Sequence, residues 1–172
     1  MELVEGIATI DDLDAFLERL GDIGDEHDCT IQAFDARYVA GRRHLERALE
    51  LADRAIGRDD AIADDRAVEV LCYAAGRRQI NRALAMGVDE GESPVVVLIA
   101  AEEESENDSS DGDEAAAASD VRALLEPADT LGAFDPDTLR EFFDVGDAEM
   151  AATDASLEDL VIERVALLTV EK

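Results

Sequence analysis

The stretch "SPVVVLIAA", residues 93 to 101, decides how the rest of the chain is read. Its apolar residues run without a polar interruption, and Val95, Val96 and Val97 are β-branched. Such a run reads as a strand buried on both faces. Two further strands suit the same sheet. "ELVEGIATI" (2 to 10) mixes polar and β-branched residues in the manner of an edge strand, and "CTIQAFDA" (29 to 36) alternates.

The remaining patterns are helical. "DDLDAFLERLG" (11 to 21) offers Asp11 or Asp12 as cap, a stripe of Leu13, Phe16, Leu17 and Leu20, and Gly21 as stop, with a polar turn over 22 to 28. Ala36 to about Ile56 forms an apolar face with Val39, Leu45, Ala48, Leu49, Ala52 and Ile56. "RAVEVLCYAAG" (66 to 76) is a second helix, capped by Asp65 and interrupted at Gly76, and "RRQINRALAMG" (77 to 87) is a third, with Ile80, Ala83 and Leu84 facing inward and Gly87 as stop. Further on, "DVRALLEPA" is a short helix, "DPDTLREFFDVG" has Asp135 as cap and Pro136 at its first position, and residues 156 to 172 form a terminal helix. The expectation is an α+β fold: a small central β-sheet packed with several α-helices in a single domain over 1–172. Residues 102–118, with eight acids and no basic residue, are expected to form a disordered acidic loop. A calcium-loop pattern beginning at Asn107 fails, because its twelfth position is Ala118 and not the bidentate carboxylate such a loop needs.

Forty-four acids face fifteen basic residues, and the only lysine is Lys172. An acidic surface with arginine almost to the exclusion of lysine points to a protein kept soluble in molar salt, hence a halophilic source. The competing explanation is an acidic protein that binds a basic partner. Cys29 and Cys72 form no CxxC and are expected as free thiols in a core, which fits a cytoplasmic location. The N-terminus shows no signal-peptide pattern, and the longest apolar run, 95 to 101, is too short to span a membrane.

Against that acidity, residues 37 to 82 carry ten arginines and eight acids, a balance of +2; the remainder stands at −31. Two near-copies supply most of the segment's arginines, "VAGRRHLERAL" (39 to 49) and "AAGRRQINRAL" (74 to 84). No third copy exists, so a repeat array is excluded. Helical pairing with carboxylates, such as Glu50 with Arg54, accounts for Arg54, Arg58 and Arg66. It accounts less well for Arg77, Arg78 and Arg82, because residues 70 to 88 contain no acid. Nothing indicates an enzyme: there is no phosphate-cradling glycine loop, and neither His27 nor His44 has metal-ligand or nucleophile partners at motif spacing. No cofactor and no metal are expected.

The ordered strings "QAFDARYVAGRRHLERALELA", "EVLCYAAGRRQINRALAMGV", "PVVVLIA" and "ERVALLTVEK" resemble the Cgi family of KEOPS-complex subunits, related to the human PRPK-binding protein. The resemblance covers most of the chain except the acidic stretch. It implies a non-catalytic archaeal subunit that binds and stimulates the small atypical kinase/ATPase of the complex and holds the 3′ CCA end of tRNA. That complex installs threonylcarbamoyladenosine next to the anticodon. By matching position, Arg78, Gln79, Ile80 and Ala83 fall at the RNA-end site. Arg77, Arg78 or Arg82 would clamp phosphate or stack, Gln79 would read a base edge, and Ile80 would pack a base face. The departure is the missing lysine on the RNA face. The alternative is an adaptor that acts on the kinase through protein contacts only.

Overall fold

A computed structural model describes residues 1–102 and 112–170. In chain order its elements are β1 (Glu2–Ile10), α1 (Leu13–His27), β2 (Cys29–Asp35), α2 (Arg42–Gly57), α3 (Arg66–Ala75), α4 (Ile80–Ala83), β3 (Gly91–Ala101), α5 (Glu114–Arg122), β4 (Glu126–Pro127), α6 (Pro136–Phe142), α7 (Asp147–Ala152) and α8 (Leu157–Leu167). Short 3-10 turns occupy Ala36–Tyr38 and Leu84–Met86. This is the α+β composition expected from the sequence. Its contacts divide into two units: 1–35 with 88–130, and 36–87 with 131–172. None of the helices among the described residues is long and apolar enough to cross a membrane.

The first unit carries the sheet, ordered β2-β3-β1-β4 and antiparallel throughout. β3 lies inside it, with Glu2 opposite Ile99 on one side and Cys29 opposite Ala101 on the other. Val95 through Ala100 are all buried, as the unbroken apolar run required. Val95, Val97 and Ile99 join Val4, Ala8, Leu20, Ile23 and Val121 in one core. β1 is no edge strand, because two-residue β4 pairs with its far side at Gly6 and Ile7. Its mixed composition comes from burial on one face. Val4, Gly6, Ala8 and Ile10 are buried while Thr9 is exposed, the period of two that a half-covered strand shows.

Asp12 caps α1 by accepting the Ala15 N–H at 3.2 Å. The helix does not stop at Gly21. It runs on to His27 and closes at Asp28, whose φ is 53°. Burial of Ile23 rewards the extra turns. Gly24 lets the helix approach β2, since a Cβ there would lie 2.6 Å from the Cys29 carbonyl oxygen. The acidic stretch also needs correction, because residues 114–118 are helix. Asp113 accepts the Ala116 N–H at 2.9 Å, and Ala117, Ala118 and Val121 are buried. Residues 103–111 of the expected loop, including the start of the calcium-loop pattern, lie outside the described residues.

The second unit is helical. α2 packs against α3 and α8, burying Leu45, Ala48, Leu51, Ala52 and Ala55 of α2, Val70 to Ala75 of α3, and Leu160, Val161 and Val165 of α8. Asp65 caps α3 and Asp135 caps α6, both as read from sequence. Ser156 and Asp159 form a reciprocal capping box on α8. The long helix expected from Ala36 is interrupted, and Gly41 becomes the cap position of α2. α7 has no sequence signal, and none of its residues is buried. Both cysteines are free and buried, and burial pushes each thiol up to about 11.

Candidate nucleic-acid interface

The arginines of the second unit's basic stretch fall into those ion-paired on and around α2 and those that flank α4. On α2, Arg42 meets Glu46 at 2.8 Å, while Arg47 and Arg54 each meet Glu50 at 3.0 Å. Arg54 therefore pairs with Glu50 as the helical spacing implied. Arg43 does not use its neighbour Glu46. It donates to Glu158 (2.6 Å) and Asp159 (2.5 Å) at the start of α8, and that contact holds the Asp159 carboxyl below its ordinary range. Arg66 forks onto Asp53, with donor distances of 2.8 and 2.9 Å. The first near-copy is thus an ion-paired face, and its arginines brace helices.

The second near-copy is different. α3 ends at Gly76, which takes φ 62° and returns its N–H to Cys72 and Tyr73. A Cβ-bearing residue adopts that conformation at a cost, so the glycine sets the direction in which residue 77 leaves. Arg77 turns inward. It donates to the Phe142 carbonyl oxygen, and its guanidinium carbon lies 4.8 Å from the centre of the Phe142 ring. Phe142 also meets Tyr38 edge-on, with centroids 5.3 Å apart. Arg77 is therefore engaged in packing, as is Tyr38 in part.

Arg78, Gln79, Ile80 and Arg82 are all exposed. The expected continuous helix over 77–87 is only one turn, Ile80–Ala83, followed by the 3-10 turn and Gly87. Ala83 and Met86 are buried and hold this turn in place. The inward orientation expected for Ile80 and Leu84 is overturned: they are 41% and 57% exposed. The reason is geometric. A single turn has room to bury one side only, and the small Ala83 takes it. The outcome is an outward strip of two arginines, a glutamine and two aliphatic side chains. Among the described residues no carboxylate lies within ion-pair distance of Arg82.

His44 lies on α2 and is fully buried. Its Nδ1 accepts the Ala40 N–H at 3.1 Å, so Nε2 carries the proton and donates to the Ala74 oxygen at 2.7 Å. Burial lowers its pKa to about 4, against the smaller opposing effect of the Ala74 bond. This one ring ties the "VAGRR" segment to the residues just before Gly76. Sequence reading missed the role because the partners are backbone groups. Among the described residues, the three potential metal donors that come together are Glu26, His27 and Asp120, within 4.8 Å of one another and in the first unit.

The family model described as kinase binding protein CGI-121 matches residues 8–169. The chain belongs to the CGI-121 family. It is accordingly a kinase-binding protein, with the regulatory role that such binding carries. No curated protein matches it. In this CGI-121 family member the six residues read from sequence lie in one continuous stretch of the second unit, but not on one face. Arg78, Gln79, Ile80 and Arg82 are outward, Ala83 is beneath them, and Arg77 is turned away. Leu84 was not among those six, although its spacing of four from Ile80 marked it as a companion.

Proposed function

We propose that this kinase-binding protein is the tRNA-holding regulatory subunit of an archaeal KEOPS complex, working in a salt-rich cytoplasm. It binds and stimulates the small kinase/ATPase of that complex and receives the single-stranded 3′ CCA end at the strip Arg78, Gln79, Ile80, Arg82 and Leu84. The observation that carries this reading is the outward placement of Ile80 and Leu84 beside Arg78 and Arg82. In molar salt the Debye length is about 3 Å, so attraction to phosphate at a distance is largely lost. Binding must then come from contact. Unpaired bases offer flat apolar faces to aliphatic side chains and guanidinium planes, and polar edges to an amide such as that of Gln79.

The alternative is an adaptor that meets the kinase through protein contacts alone. What favours it is the consumption of the α2 arginines and Arg77 by internal partners. A filter-binding assay in high potassium salt, with tRNA and with tRNA lacking its CCA, separates the two. Loss of binding only with the truncated RNA supports the RNA-end reading. Equal binding of both, or none, leaves the adaptor. Arg78→Glu is expected to abolish RNA retention while co-purification with the kinase persists.

A further inference from the structure

The end of α1 is a junction that both ends of the 103–111 segment adjoin. The Glu102 N–H donates to the Asp28 oxygen, and the Asp113 N–H donates to the His27 oxygen, each at 3.0 Å. Gly112 lies so close that a Cβ there would stand 2.1 Å from the Asp28 oxygen. The His27 side chain then reaches further along α5, with Nε2 2.7 Å from Asp120 Oδ2. Residue 27 thus grips α5 twice, once by main chain at its cap and once by imidazole two turns on. Only the second grip depends on a proton.

Among the described residues, the charged groups that face this imidazole are Asp120 of α5, Glu26 of α1 and Asp113 at the α5 cap, and all three are acids. On the first turn of α5 the Met1 ammonium lies 2.9 Å from Glu114 Oε1. The ring is 16% exposed and Asp120 is 40% exposed, so the pair is partly shielded from salt. We propose that His27 and Asp120 form a proton-dependent clasp between the end of α1 and the body of α5, tight while the imidazole is charged and weaker once it is neutral. The hydrogen bond to Asp120 raises the His27 pKa from its ordinary 6.5, the opposing effect of burial being smaller. A raised folded value means that the stabilisation is fully present below about pH 6.5 and is lost as pH rises through the folded midpoint.

The chain makes this measurable, because its other histidine, His44, titrates near 4. Imidazole resonances of the intact protein would be followed by NMR in wild type, Asp120→Asn and His27→Gln. Amide exchange of α5 would be read at about pH 5.5 and 8.5 after correction for intrinsic rates. In wild type, protection of α5 should fall a few-fold at the higher pH. Asp120→Asn should lower the His27 midpoint and remove most of the pH dependence, and His27→Gln should remove it too. An unchanged His27 midpoint in Asp120→Asn, or α5 protection that follows pH equally in all three proteins, would overturn the clasp.

Discussion

Replacing His44 with glutamine should flatten the stability of this protein in mildly acidic solution. The native ring is buried with both nitrogens bonded and its pKa drawn down to about 4, whereas the unfolded chain protonates near 6.5. The sign follows from proton binding. Between those values the unfolded state holds a proton that the native state refuses, so stability is intact above about pH 6.5 and declines as pH falls. The slope is about 1.4 kcal/mol per pH unit, and the total about 3 kcal/mol once pH reaches 4. The assay is urea unfolding at constant high salt, at half-unit steps from about pH 7.5 to 5, for wild type and His44→Gln. Glutamine keeps a donor for the Ala74 oxygen but cannot titrate. The variant should be less stable at pH 7.5, because it packs less well against Phe143, whose ring centre lies 5.6 Å from that of His44. The gap should then narrow on acidification by about 1 kcal/mol per unit. Carboxylate titration affects both proteins alike and cancels in the difference. A gap that stays constant across the range would refute the claim that His44 is held neutral in the fold.

Three further outcomes are expected. Ile80→Asp should change the unfolding free energy by no more than about 0.5 kcal/mol, because the side chain is already 41% exposed, while weakening retention of CCA-ended tRNA on filters. Gly76→Ala forces a Cβ into the left-handed region at φ 62° and should cost about 1–2 kcal/mol in urea unfolding. Glu69 is buried and accepts the N–H groups of Ile62 and Ala63 at 2.9 and 2.7 Å; Glu69→Gln should cost about 1–3 kcal/mol and speed proteolysis of residues 57–65.

Much of the fold could be read locally because its determinants are local. Asp12, Asp65, Asp135 and Ser156 lie immediately before their helices and bond to them, and β3 announces itself by an apolar run too dense for any exposed element. What escaped reading depended on distant partners. Gly21 carries the signature of a helix end, yet Ile23 finds a place in the core two residues later. The position of β1 within the sheet depends on Glu126 and Pro127, which no alternation marks as a strand. The carboxylates that engage Arg43 come from residues 158 and 159. At the candidate interface the pattern of Ile80, Ala83 and Leu84 correctly signalled a helical turn with a sidedness. It could not say which side is covered, and the answer proved to be the alanine.

The place of β3 has a consequence for how the protein is born. β1 and β2 are synthesised first, yet neither pairs with the other; each is completed only by the strand that begins at Gly91. At about 5–20 residues per second, the ribosome leaves β1 waiting several seconds for its mate. Through that interval its apolar face and its ladder groups must be carried by something other than the finished sheet. In a circularly permuted chain that begins near residue 88, β1 and β2 would each find β3 already made, and the wait would pass to β3 alone, for the roughly 70 residues that follow it.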